Sequence, residues 1–96
     1  MYTIELGKSG LAVPTIAVGC MRFGDKTQRE VEALIEVSLA HGANFFDHAD
    51  IYGRGRSESI FAAALTPSRR DRVLLQTKCG IVPGKMFDFS YEHIVE

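Results

Sequence analysis

Asp47, Tyr52 and Lys78 are the side chains in this sequence whose types and spacing suit proton chemistry. Asp47 closes a short apolar run, Ala43 to Phe46, and Lys78 follows a second run, Val73 to Leu75, by way of Gln76 and Thr77. If both runs are parallel strands, the carboxylate and the ammonium stand at neighbouring strand C-termini, the edge on which barrel sheets carry their reactive groups. An aspartate withdrawn from water there is costly unless a cation meets it, and a lysine from the next strand is the natural partner. A tyrosine five residues beyond Asp47 can swing over that pair. Phenols titrate at roughly 10, and a nearby ammonium favours the phenolate. The trio therefore suits protonation of a developing alkoxide, with Tyr52 as the acid, Lys78 as its electrostatic partner and Asp47 orienting Lys78. The same spacing also accommodates a purely structural Asp–Lys pair beside a loop tyrosine, and spacing alone leaves both readings open.

The elements that must position these groups are legible as a β/α alternation. Tyr2 to Leu6 alternates, Gly7 to Gly10 supplies a turn, and Leu11 to Val13 resumes, which predicts a hairpin whose second strand is limited by Pro14. Thr15 to Gly19 is apolar without alternation and predicts a strand buried on both faces. Thr27 to Glu30 fits a capping box, and Val31, Leu34, Ile35, Ser38 and Leu39 form the inward stripe of a helix that Gly42 closes. Ala43 to Phe46 predicts the next strand, with Asp47 at its end. Ser57 is the expected cap of a second helix, with Ile60, Phe61, Ala64 and Leu65 facing inward and Thr66-Pro67 stopping it. Val73 to Leu75 predicts a third strand, and Ser90 could open a last helix through Tyr91, Ile94 and Val95. Strands recurring at β/α/β spacing imply a parallel sheet with right-handed crossovers.

Composition narrows the function classes. The 96 residues allow at most one domain, and 46 % hydrophobic with 24 % charged residues describes an ordinary folded α/β protein. A formal charge of -1 gives no global attraction to nucleic acid or anionic lipid. Arg69, Arg70 and Arg72 around Asp71 read as a solvated loop before a strand, with a phosphate patch as the competing reading. Cys20 and Cys79 lie far apart and predict reduced thiols in a cytoplasmic protein. No signal peptide is expected at the N-terminus, and no apolar run approaches the ~20 residues of a membrane span. His48 with Asp47 and Asp50 lacks a second histidine at ligand spacing, so no metal site is expected. Gly53-Arg54-Gly55 is not the dinucleotide-binding glycine pattern, because Glu58 stands where the third glycine would be.

Four stretches carry a resemblance. Gly42-Ala43-Asn44-Phe45-Phe46-Asp47-His48-Ala49-Asp50-Ile51-Tyr52-Gly53, followed by Glu58, resembles the signature of the aldo-keto reductase family. Leu6 to Val13 is similar to the family's opening hairpin, Gly19 to Gly24 to its first loop, and Leu75 to Gly80 to the strand bearing its catalytic lysine. The resemblance implies that residues 1–96 are a partial oxidoreductase domain, the N-terminal third of a (β/α)8 TIM barrel with an N-terminal β-hairpin, the barrel being incomplete.

It further implies NAD(P)H-dependent reduction of an aldehyde or ketone, a small-molecule carbonyl being the partner. NADP(H) is the implied cofactor, with NAD(H) as the other option. Tyr52 would donate the proton, Lys78 would assist it and Asp47 would support Lys78. Gly19, Cys20 and Met21 would lie near the nicotinamide, and Asp47 near its ribose. Phe23, Tyr52 and Phe87 mark a region that could line a substrate pocket. The family's fourth catalytic residue is a histidine in a His-x-Pro-Asp-like stretch; His93, in Tyr91-Glu92-His93-Ile94, does not match it. The alternative expectation is therefore a truncated, catalytically inactive chain, or a partner domain that needs the rest of the barrel, a complete barrel taking about 250 residues.

Overall fold

Left-handed glycines and local caps decide where the chain turns in the computed structural model, which describes residues 2–95. Gly7 and Gly10 take positive φ and fold strand β1 (Thr3–Glu5) onto β2 (Ala12–Pro14), antiparallel, with Ile4 opposite Val13. Pro14 is the last residue of β2, and the next N–H, that of Thr15, donates to the Tyr2 carbonyl at 3.1 Å.

Strand β3 is shorter than expected. It spans only Val18–Gly19, while Thr15 to Ala17 are irregular and exposed. Thr15 is drawn back to the hairpin, so pairing with the next strand begins only at Val18. Helix α1 (Gln28–Ala40) matches its sequence signals at both ends. Glu30 N–H donates to Thr27 Oγ1 at 3.1 Å, and Thr27 N–H donates to Glu30 Oε1 at 3.0 Å, a reciprocal capping box. At the other end Gly42 N–H bonds the Leu39 carbonyl and Ala43 N–H the Ser38 carbonyl, the paired bonds of a Schellman motif with Gly42 left-handed. Val31 and Ile35 are fully buried, but Leu34 lies on the exposed side of the stripe.

Strand β4 (Phe45–Asp47) pairs in parallel with β3 on one side and with β5 (Leu74–Gln76) on the other, giving the order β3-β4-β5. Phe46 packs on Phe61 of helix α2 (Arg56–Ala64) with ring centroids 5.1 Å apart. Cys20, Phe23, Val31, Ile35, Ala64 and Val73 complete this core between the sheet and the helices. On the opposite face Phe45 and Leu74 meet Leu6, Leu11 and Val13 of the hairpin around a cavity of about 260 Å³.

Three expectations need correction here. Burial on both faces holds for Phe45 and Phe46 of β4 alone; Gly19 of β3 and Leu75 and Gln76 of β5 are exposed, because each outer strand has a neighbour on one side only. Ser57 does not cap α2: Gly55 is the N-cap, and Ser57 is fully buried in the first turn. Three successive left-handed residues, Gly53, Arg54 and Gly55, turn the chain tightly enough for the helix to start early. Thr66-Pro67 ends α2 but also begins a short helix, α3 (Pro67–Arg70), with Thr66 as cap and Pro67 in the first turn. Arg69 of α3 bonds Glu36 of α1, so the arginine cluster is not merely a solvated loop.

Beyond β5 a small hairpin, β6 (Ile81–Val82) with β7 (Met86–Phe87), was not anticipated; it turns through Gly84. Helix α4 (Tyr91–Val95) follows, with His93 N–H donating to Ser90 Oγ at 3.3 Å. No helix among the described residues is long and apolar enough to cross a membrane.

Candidate active site

Strand parity places Asp47 with Phe45 on the face away from Phe46 and the helices, directly opposite Gln76 of β5. Asp47 Oδ1 accepts from Gln76 Nε2 at 2.8 Å and from Lys78 Nζ at 2.7 Å. Lys78 Nζ also donates to the His48 carbonyl at 2.8 Å. The same ammonium lies 5.2 Å from the centroid of the Tyr52 ring. Asp47, Tyr52 and Lys78 thus converge on one edge of the sheet, and Gln76 joins them.

Backbone bonds continue the lacing past the strand ends. His48 N–H donates to the Gln76 carbonyl at 2.8 Å, and Asp50 N–H to that of Lys78 at 3.0 Å. Tyr52 N–H then bonds the Ala49 carbonyl at 3.1 Å and opens the 3-10 turn over Tyr52–Gly55. The loop that carries the phenol is therefore stitched to the segment that carries the lysine.

The pair is strongly ionic in character. Hydrogen bonding from Lys78, against a smaller opposing effect of burial, holds the Asp47 carboxyl below its usual range. Hydrogen bonding to Asp47 raises Lys78 above the ordinary lysine range, with Tyr52 adding in the same direction. Both side chains keep contact with water, at 30 % and 47 % exposure, so the pair contributes little to folding stability and chiefly fixes the ammonium in place.

Gly19 is the register partner of Asp47, and a side-chain carbon added there would meet nothing within 4 Å. The face beside Asp47 is thus open to a flat ring laid against backbone, and the exposed Met21 borders the same loop. Cys20 points the other way. Its thiol is buried, pushed up to about 12 chiefly by that burial, and its N–H donates to the Asp47 carbonyl at 3.0 Å. A nicotinamide at this edge would meet Gly19 and Met21, while the Cys20 side chain would support the loop from the core.

Sequence reasoning missed two residues that hold this edge. Gln76 shares strand parity with Lys78 and was readable from that alone. Ser57 Oγ accepts the Gly24 N–H at 3.1 Å and donates to the Met21 carbonyl at 3.3 Å, tying the first loop to α2. Glu58 accepts from Thr77 Oγ1 at 3.1 Å, linking α2 to the lysine segment as well. His48 is buried against Phe61, ring centroids 4.5 Å apart, with no partner for either ring nitrogen among the described residues. Among those residues no group of three or more His, Cys, Asp or Glu is arranged to hold a metal ion.

This architecture has close counterparts. The sequence profile of the Aldo/keto reductase family matches residues 15–96. The 6-dehydroglucose reductase of Novosphingobium aromaticivorans is 36 % identical over 100 residues, covering 94 % of this chain and 33 % of its own length. An aldo-keto reductase from Bacillus halodurans, solved in its holo form, superimposes with a TM-score of 0.81 at 32 % identity, over 98 % of this chain and 33 % of that one. One from Klebsiella pneumoniae, in complex with NADPH, gives 0.64 at 31 % identity, over 79 % of this chain and 27 % of that one. The chain spans about a third of the length of the curated relatives it matches. Its hairpin and parallel β/α units, open along both outer strands, are those of an incomplete (β/α)8 barrel, and the chain belongs to the aldo/keto reductase family of oxidoreductases.

Proposed function

We propose that this chain supplies the proton-donating edge of an NAD(P)H-dependent reductase acting on an aldehyde or ketone. The observation that carries the reading is the single ammonium of Lys78, held at 2.7 Å by Asp47 and poised over Tyr52. In the reduction a carbonyl carbon gains a hydride and its oxygen gains a proton. A reduced nicotinamide, when bound, would supply that hydride and would itself be oxidised. Tyr52 gives its phenolic proton to the oxygen as negative charge develops there, and the Lys78 ammonium stabilises the phenolate left behind. Asp47 and Gln76 keep the ammonium charged and aimed, and solvent returns the proton. Gly19 and Met21 would flank the nicotinamide, with Asp47 near its ribose. NADP(H) is favoured because a structural relative holds NADPH, and NAD(H) is the alternative.

A second reading, in which this chain alone is inactive and works as a partner for the remaining barrel, is favoured by the open sheet. Among the described residues both outer strands leave an unpaired edge, and the face bearing Asp47 is uncovered beyond the hairpin. Positioning a hydride donor and a carbonyl together needs walls on more than one side. The test joins residues 2–95 to the remaining two thirds of a homologous reductase and follows NADPH oxidation with a set of aldehydes, beside the isolated chain. Turnover is expected from the joined protein only. Tyr52→Phe should lower its kcat by about 10²–10⁴-fold without changing cofactor affinity. Undiminished kcat in that variant removes Tyr52 as the donor, and turnover by the isolated chain removes the second reading.

A further inference from the structure

Strand β5 ends at Gln76, so Lys78 stands beyond the last ladder pair. Gly80 follows at φ +119, outside the strand region, and β5 has no neighbour on its outer side among the described residues. A lysine on such a stretch keeps its flexible stem aimed only if the backbone beneath it is held. On the β4 side His48 N–H bonds the Gln76 carbonyl and Asp50 N–H the Lys78 carbonyl. On the helix side packing is incomplete. A groove of about 330 Å³ runs between Phe61, Ala62 and Leu65 of α2 and the segment Leu75 to Thr77.

A side-chain bond crosses that groove. Thr77 Oγ1 donates to Glu58 Oε2 at 3.1 Å, a charge-assisted bond between the first turn of α2 and the residue before the lysine. Gln76 and Lys78 both reach Asp47, whereas Thr77 reaches the helix, as strand alternation requires. Holding Thr77 from behind therefore fixes the direction from which Lys78 approaches Asp47 and Tyr52. Glu58 is itself firmly placed. Its neighbour Ser57 is fully buried and bonds Gly24 and Met21 of the first loop at 3.1 and 3.3 Å. Adjacent residues of one helical turn thus hold the loop beside Gly19 and the segment that carries the lysine. The Thr77–Glu58 bond is exposed to water, so its loss strands no buried group and should change folding stability little.

We propose that Thr77 and Glu58 are positioning residues for Lys78, and that the first turn of α2 holds the proton-donating edge and the cofactor loop by two separate contacts. The inference rests on the reductase reading above and adds to it two residues that act through the lysine. Ser57 governs the loop beside Gly19. Glu58, through Thr77, governs the ammonium that stabilises the phenolate. Loosening the second contact lets Nζ move away from Asp47 and from the Tyr52 ring, whose centroid lies 5.2 Å from it. Electrostatic help of this kind depends on a donor fixed in advance, so a misplaced ammonium slows the proton transfer. The two contacts therefore divide their effects: Thr77 and Glu58 act on the rate, and Ser57 acts on cofactor affinity.

Two measurements test it. The first follows the titration of the Lys78 ammonium in the isotope-labelled chain by NMR. Asp47 and Tyr52 are the groups that face it, and hydrogen bonding to Asp47 holds it above the ordinary lysine range. Thr77→Val and Glu58→Ala should each bring the midpoint down toward that range, and Thr77→Ser, which keeps the hydroxyl, should restore it. An unmoved midpoint in Thr77→Val overturns the proposal. The second uses the joined reductase. Each of the two variants is expected to lower kcat roughly 10-fold with the NADPH dissociation constant unchanged. The double variant should be no slower than either, because both changes remove one bond. Glu58 also bears on the charge of His48, so a loss seen in Glu58→Ala alone, or losses that add, overturn the proposal. Weakened NADPH binding in Thr77→Val overturns the separation of the two contacts. A native joined protein that reduces no carbonyl refutes the reductase reading instead, and the Lys78 titration then still decides whether Thr77 and Glu58 position the ammonium.

Discussion

Acidification should destabilise this protein through His48, and the size of the effect can be worked out from its surroundings. His48 is 4 % exposed, stacked edge-on against Phe61, and neither ring nitrogen has a partner among the described residues. Burial lowers its pKa below the usual 6.5; the negative charges of Glu58 and Asp47 oppose that shift, and Lys78 adds to it. The folded value therefore lies below the unfolded one. Between the two, the unfolded chain binds more protons, so falling pH favours unfolding. The contribution is intact above the unfolded value and is lost progressively below it, levelling off once the folded histidine also titrates. Each unit by which the folded pKa lies below the unfolded one is worth about 1.4 kcal/mol of stability, lost as the pH falls through that interval. In a chain of this size that lowers the melting temperature by roughly 4–8 °C for each kcal/mol. The assay is urea or thermal unfolding at about pH 7.5 and about pH 5.5, on either side of the ordinary histidine value, for the native chain and for His48→Phe, which keeps a ring but cannot ionise. Asp47 does not confuse the comparison, because its lowered pKa moves its own contribution to more acidic conditions. The native chain should lose stability across the interval and the variant should not. Equal losses in both would show that His48 is not the proton-linked group.

Two further outcomes follow from the core and from the loop tether. Phe61→Ala removes the ring that touches Phe23, Phe46 and His48 and should cost about 3–5 kcal/mol, enough to unfold most of the chain by circular dichroism. A cooperative melt close to the native one would place the centre of the core elsewhere. Ser57→Ala leaves the Gly24 N–H and the Met21 carbonyl without their buried partner, and about 1–3 kcal/mol should be lost. In the joined reductase the same change should raise the dissociation constant for cofactor, read by fluorescence, since the first loop would lose its anchor to α2; unchanged affinity would separate that loop from cofactor binding.

What could be read from the sequence divides along physical lines. Helix α1 was legible at both ends because its signals are local: Thr27 and Glu30 satisfy each other's N–H groups, and Gly42 alone tolerates the left-handed turn. The convergence of Asp47 and Lys78 follows from their places at the C-terminal ends of neighbouring strands in a β/α alternation. A serine ahead of an apolar face resembles a cap, but the start of α2 is set by the left-handed conformations of Gly53 to Gly55, which no side-chain signal reveals. The β6–β7 hairpin has a sequence signal of its own, Pro83-Gly84 as a turn between the apolar pairs Ile81-Val82 and Met86-Phe87, but strands of two residues carry too little alternation to predict. Burial of the outer strands could not be read from their own residues, since it depends on which neighbours lie alongside.

Strand β4 is held along both edges, by β3 and by β5, and its two phenylalanines are covered on both faces. Freeing its amides for exchange with solvent requires two neighbours and two layers to part at once, which amounts to losing the fold. Tyr52 lies five residues away in a 3-10 turn that opens into three left-handed residues. Such a turn can open locally at far lower cost. Asp47 and Tyr52 therefore sit on opposite sides of a boundary in timescale. The anchor of the charge network is as persistent as the protein, while the phenol is free to adjust around it.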